Sequence, residues 1–300
     1  MWGDMAYQGE VAALAAAVVW ALATWIYSQF SHRFTALQLN ILKGTIASIM
    51  MLIALPITSV NIVKPDTSHL LILAISGVIG IAIGDSAYFA SLKRIGANKT
   101  LLLESLAPPL SGVLALLVLG SVLTFQSWLG VIVTTVAVTF VIFQPEEQSQ
   151  SISMTGVMFG LLASVCQASG VVISHYALVA GDLPPLLGAL IRLSVGVLAV
   201  VLVIGFIEKS PFEETKRHLR SLSQPAFIWL LAAIFVGTFL ALWLQQIALK
   251  HANPAVAQTL IATSPLFMLL IYLFKGIRVT RQSVFGTLAA IIGISLFFVQ

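Results

Sequence analysis

An all-α integral membrane protein of ten transmembrane helices, arranged as two five-helix repeats of opposite orientation, is the fold class the sequence predicts. Three observations predict it: a shortage of charge, a series of long uncharged apolar runs, and a weak internal repeat. Of the 300 residues, 59% are hydrophobic and only 9% are charged, where a soluble domain carries about 25%. The mean hydropathy is +1.03. So few polar residues cannot cover a water-facing surface, and in lipid the backbone must satisfy its own hydrogen bonds, as helices and closed barrels do. The apolar runs are long and continuous rather than short and alternating, which selects helices over a barrel. The single cysteine, Cys166, excludes an intramolecular disulfide and a cysteine-rich metal site. A net charge of +4 spread over short loops does not suggest nucleic acid.

A helix needs about 20 apolar residues to cross the hydrocarbon. No Lys, Arg, Asp or Glu lies between Glu104 and Glu146, which accommodates two spans with a turn at Gly120 to Thr124. The same reading along the chain predicts spans at 10–30, 37–57, 68–92, 98–119, 125–143, 154–180, 184–207, 225–249, 253–275 and 281–299. The segments Gln144–Ser153 and Glu208–Gln224 read as linkers, and no extramembrane domain is expected.

The repeat has an offset of 157 residues: Leu92-Lys93 to Pro108 matches Leu249-Lys250 to Pro265, and Gly80 matches Gly237. After a one-residue deletion Gly120, Thr124 and Gly130 match Gly276, Thr280 and Gly286, while Gly9 matches Gly156 and Lys43 falls opposite Arg192. Residues 1–143 form the first repeat, 144–153 the linker and 154–300 the second. An odd number of helices per repeat makes the second enter the membrane from the opposite side. Inverted repeats of this kind place a solute site between the halves at the bilayer midplane.

The chain resembles the EamA-type carriers of the drug/metabolite transporter superfamily over nearly its whole length. The resemblance rests on the ten-helix duplication, Trp20 in the first helix, a basic residue early in helices two and seven (Lys43, Arg192), and the segment Tyr88 to Ala97 followed by Glu104-Ser105-Leu106-Ala107-Pro108. The partner of that segment is Ala248-Leu249-Lys250-His251-Ala252, then Thr263-Ser264-Pro265. Where the family shows Leu-Gly-Glu after helices four and nine, this chain has Leu119-Gly120-Ser121 and Phe274-Lys275-Gly276. The resemblance implies export of small organic metabolites, amino-acid-like or related, by alternating access. Relatives that carry nucleotide sugars or sugar phosphates supply an alternative.

Charged groups at membrane depth are costly and mark functional candidates. Four lie well inside the spans, away from their ends: Lys43, Asp85, Glu104 and Arg192. Lys43, Asp85 and Glu104 all lie about two turns in from one membrane face, near ~10 Å depth at ~1.5 Å per residue, so a shared network is expected. Asp85 and Glu104 are candidates for proton coupling. The alternative is an ion pair that merely holds helices together. The repeat partners of the two acids are Leu242 and Ile261, so the fold itself does not ask for acids there. Arg192 has no acid in its own half. Either it snorkels, or pairs with a backbone carbonyl, Asp85 or Glu104; or it faces the cavity and binds an anionic solute group. Pro108 and Pro265 interrupt helices four and nine and free the carbonyls of Glu104 and Ile261, which places these kinks toward a cavity.

Trp20, Tyr88, Gln167, Trp243 and Gln245 complete the candidate solute-binding set with Lys43 and Arg192, an aromatic and amide lining suited to a small, partly apolar solute. Trp25 and Trp229 read as interfacial anchors, His175 as satisfied by a neighbouring helix, and the two Gly-x-x-x-Gly motifs (Gly80/Gly84, Gly156/Gly160) as packing contacts. No enzyme signature, cofactor motif or metal site is present. A membrane enzyme acting on lipid through Asp85, Glu104 and His175, and a non-transporting scaffold, are the readings from other classes. The expected partners are a small-molecule solute and the lipid bilayer, without nucleic acid; oligomeric state is open, a monomer being compatible.

Of the 13 basic residues outside the spans or at their ends, eleven fall on one side of the membrane and only Lys64 and Lys250 on the other. In the cell membrane this bias puts the eleven in the cytoplasm and both termini outside, whereas the family resemblance implies cytoplasmic termini. A C-terminal reporter that fluoresces only in the cytoplasm should therefore stay dark; bright cells would favour the family orientation.

Overall fold

The computed structural model describes residues 7–58, 66–110, 125–142, 153–252, 254–277 and 279–298. Every described regular element is helical. In chain order these are α1 (Gln8–Phe30), α2 (Ala36–Ala54), α3 (Thr67–Gly77), α4 (Ser86–Glu104), α5 (Phe125–Ile142), α6 (Met154–Ala180), α7 (Pro185–Ile207), α8 (Pro211–Arg220), α9 (Gln224–Ile234), α10 (Ala241–His251), α11 (Pro254–Ile261), α12 (Ser264–Phe274) and α13 (Arg281–Phe298). A 3₁₀ turn, Leu55–Thr58, extends α2. Among the described residues seven helical stretches are long and apolar enough to cross a membrane. One of them, Thr67–Glu104, runs through two of the expected spans. Instead of a loop there, one glycine turns the chain: Gly96 has φ 78°, ψ 172°, a conformation that costs glycine little. The expected turn at Gly120 to Thr124 lies outside the described residues, as does all of the 144–153 linker except Ser153.

Polar side chains start the helices. Thr35 accepts from the Gln38 amide while Gln38 returns a bond to the Thr35 amide, a reciprocal cap on α2. Ser153 accepts from Gly156 at the start of α6, and Asp66 from Ser68 at the start of α3. Pro185 opens α7, where its missing N–H costs nothing. The expected linker Glu208–Gln224 is instead largely helical. Pro211 starts α8, Glu213 and Glu214 sit in its first turn and Arg217, His218 and Arg220 in its last, complementing the helix dipole. Its polarity suggested a loop, but the segment carries its own start and stop signals.

Two π-helical segments interrupt the long helices: Val78–Asp85 joins α3 to α4, and Phe235–Leu240 joins α9 to α10. Their first residues, Val78 and Phe235, are 157 apart, the offset of the sequence repeat. A π segment shifts the hydrogen-bond ladder, so polar groups of neighbouring helices are needed beside it. Asn40 of α2 donates to the Ile81 carbonyl and to the Ser86 hydroxyl, both at 2.8 Å. The Tyr27 hydroxyl of α1 pairs with that of Thr238 at 2.9 Å.

Helix contacts are exchanged across the chain. The helix α1 packs on α9 through α12, and α6 packs on α3 through α4; α2 packs on α7, and α5 on α13. Small residues permit the approach. A Cβ added at Gly170 would lie 3.2 Å from the Cα of Gly80, and one at Gly84 3.0 Å from the Cβ of Cys166. Gly156 and Gly160 face Arg94, Ile95 and Leu103 in the same α6–α4 contact, so both glycine motifs serve packing. Trp229 is 56% exposed at the start of α9, and Trp25 carries the Lys275 ammonium 4.7 Å from its ring centroid.

Gly77 and Gly205 separate packing from helix propensity. A Cβ at Gly77 would overlap the Arg192 backbone, while one at Gly205 meets nothing within 4 Å. Gly77→Ala should destabilise by about 1–3 kcal/mol, and Gly205→Ala should be neutral or stabilise by up to about 1 kcal/mol. Melting of the purified variants in detergent measures both; equal effects would contradict the α3–α7 contact.

Candidate functional site

The site begins where helices stop. Pro108 stands in the first turn of the helical segment that resumes at Ala107 after α4, and Pro265 in the first turn of α12 after α11 has ended at Ile261. Hydroxyls cover carbonyls at both breaks: Ser264 donates to the Ile261 carbonyl at 2.7 Å and Ser105 to that of Leu102 at 2.6 Å. Both prolines line a cavity with about 430 Å³ of empty space. Its wall is shared: Trp20, Glu104 and Ser105 come from the first part of the chain, and Gln167, Gln245, Gln258 and Ser264 from the second.

A smaller cavity, about 280 Å³, lies on the other side of Trp20, which lines both. Thr24, Tyr27, Lys43, Asp85, Tyr88 and Phe89 line it. Lys43 and Asp85 form an ion pair there, with side chains 8% and 14% exposed, and the Lys43 ammonium lies 5.3 Å from the Phe89 ring centroid. Asp85 is placed by the end of the π segment, Lys43 by the capped start of α2. The Tyr88 and Thr24 hydroxyls bond to each other, and Trp20 packs edge-on against Tyr88 with centroids 6.3 Å apart.

The expected three-membered network is thus divided. Lys43 and Asp85 pair, while Glu104 stands in the larger cavity, which Trp20 also lines. Arg192 is 2% exposed, so it does not snorkel. Its backbone is held against Gly77, and its Nη1 donates to the Gln245 carbonyl oxygen at 3.5 Å. Its Nε has no partner, and no ion pair joins it among the described residues. Arg192 therefore meets the cavity only through Gln245. Trp243 lines neither cavity; it packs on Phe239 with centroids 5.8 Å apart. His175 bonds the Leu249 carbonyl at 2.8 Å through Nδ1, the neighbouring-helix role expected of it rather than that of an acid or base beside the carboxylates.

Sequence reasoning missed Thr24, Tyr27, Asn40 and Gln258. The first two were detectable: they follow Trp20 at steps of four and three, one face of α1. In its last turn, Lys250 ties α10 to the α6–α7 turn, its Nζ 2.8 Å from Asp182 and 3.0 Å from the Leu183 carbonyl. That hydrogen bond, and then the charge of Lys250, hold the Asp182 carboxyl below its usual range. Among the described residues no cluster of His, Cys, Asp and Glu could hold a metal ion.

Comparison with known proteins places this geometry in context. The profile described as the EamA-like transporter family matches residues 7–143 and again residues 154–299. A protein of Archaeoglobus fulgidus, described as an uncharacterized transporter, is 25% identical over 284 residues, which cover 94% of this chain and 95% of that one. A solved structure described only as the crystal structure of a protein is similar in fold, with a TM-score of 0.68, 17% identity, and coverage of 97% of this chain and 96% of that one.

The ion pair has a signature in a double-mutant cycle. Lys43→Met or Asp85→Leu alone leaves a buried charge without its partner and should cost about 3–5 kcal/mol, whereas the double variant should be more stable than either. Detergent melting of the four proteins reads this out, and additive losses would contradict the pair.

Proposed function

Since the chain belongs to the EamA-like transporter family, we propose that it is a secondary transporter exporting small organic metabolites, amino-acid-like or related, by alternating access. In this reading it has ten transmembrane helices, with residues 1–143 and 154–300 as two inverted five-helix repeats. The family profile matching each half, the π segments at the repeat offset and the exchanged helix contacts support it. It resides in the cell membrane with both termini on one side, extracytoplasmic by the charge bias.

The observation that carries the reading is the divided wall of the larger cavity. A site whose two walls belong to two halves opens to one face or the other as the halves rock. Trp20 offers an aromatic face, Gln167, Gln245 and Gln258 offer amides, and Glu104 offers a carboxylate with no cationic partner in the wall. Glu104 is thereby suited to take a proton or a cationic solute group, one at a time, which couples the two. The Lys43–Asp85 pair beneath Trp20 joins α2 to the π segment and moves with it. Arg192 stands behind Gln245, and Trp243 lines neither cavity.

Arg192 favours one further reading, an exchanger of anionic solutes such as nucleotide sugars or sugar phosphates. A guanidinium buried with an unpartnered Nε calls for an anion, which a turned Gln245 would admit. Arg192→Lys keeps the charge but loses the planar fork; unchanged apparent affinity for an anionic solute in a folded variant would end this reading.

Purified protein in liposomes tests the main one. Labelled amino acids or related metabolites should undergo counterflow, and a proton gradient should drive their accumulation. Glu104→Gln should keep counterflow and lose the accumulation. Product formation without counterflow would point to an enzyme, and a Glu104→Gln protein that still accumulates solute would remove Glu104 from the coupling.

A further inference from the structure

We propose that the outward face of α8, with the turn beside it, docks on the surface of an anionic phospholipid leaflet. The inner face of α8 is already committed. His218 meets Phe34 ring to ring at 5.6 Å, and Leu219 packs against the main hydrophobic cluster. Just before the helix, Glu208 accepts from Gln38 of α2 at 3.0 Å. These contacts fix the helix beside the α1–α2 turn and leave Phe212, Glu213, Lys216, Arg217 and Arg220 exposed.

Three of these five are cations, and Lys216 and Arg220 are four apart, a like-charge neighbour pair that weakens an isolated helix. Only Glu213 carries the opposite sign on that face. Lys209 just before the helix and Arg33 in the α1–α2 turn are exposed as well. Such a surface calls for anions from outside the chain.

The apolar residues identify the source of those anions. Phe212 is 55% exposed on the same face as the cations, and Phe206 and Ile207, at 91% and 63%, end the spanning helix α7. The cationic face thus begins where α7 leaves the hydrocarbon. Aromatic and aliphatic side chains beside Lys and Arg on one helix face are the pattern of a helix lying in the headgroup layer, its apolar groups in the acyl boundary and its cations on lipid phosphates. This inference needs the membrane embedding alone and is independent of any solute.

Hydrogen exchange of the full chain in nanodiscs tests it. In discs of phosphatidylcholine mixed with phosphatidylglycerol, amides of residues 212–220 should exchange roughly fivefold more slowly, or slower still, than in phosphatidylcholine alone, and high salt should erase the difference. The triple variant Lys216→Gln, Arg217→Gln, Arg220→Gln should show equal rates in both lipids, with amides of α1 and α7 unchanged from the parent protein. Equal rates for the parent protein in the two lipids would overturn the proposal and leave the face to an acidic protein partner. A lipid dependence that survives in the triple variant would also overturn it.

Discussion

The constraint on which the structure depends is the need of every backbone polar group for a partner where water is absent. A continuous helix meets it internally, so each interruption must be met by something else. The interruptions gather in two stretches, from Val78 to Pro108 and from Phe235 to Pro265. Asn40 and Tyr27 serve the π segments, and serine hydroxyls cover carbonyls at the proline breaks. Broken helices with supplied partners leave room between them, and the larger cavity lies at the proline breaks.

The same constraint sorts the charges. Lys43 and Asp85 offset each other directly. Glu104 and Arg192 have no such partner among the described residues; Arg192 takes a weaker substitute in Gln245, and Glu104 shares its cavity wall with Trp20 and amide side chains. Trp20 stands between the ion pair and Glu104, so a change on one side has a direct contact through which to act on the other. Gln245 holds the comparable place between the cavity and Arg192. These are the features the family membership makes meaningful, because a transport protein of the membrane needs a polar interior that a purely structural bundle would avoid.

Much of this was legible in the sequence because lipid imposes simple rules. Apolar runs announce the helices, and in-span charges and prolines announce the site region. The prolines could be placed because a missing N–H has a local consequence. The π segments could not be read, since Gly80 and Gly237 only marked a repeat and nothing local distinguishes Val78–Asp85 from an α-helix. Between the expected spans 68–92 and 98–119 a single left-handed glycine, Gly96, suffices to turn the chain, and nothing in the apolar pattern marks so short a break. The residue type of Trp243 suits a solute site, but its direction depends on the π segment just before it, which rotates α10 relative to a regular helix. Helix α8 is hidden by its polarity, and its local signs are Pro211 at the start and the order of charges along it.

The central claim is that the cavity between the halves opens to each membrane face in turn. Accessibility of one thiol tests it most directly. In a Cys166→Ala background, Gln167→Cys places a thiol on the wall of the larger cavity. A membrane-impermeant maleimide added to either face of proteoliposomes should modify it, and solute should protect it from both. Modification from one face only, under all conditions of solute and gradient, would contradict alternating access.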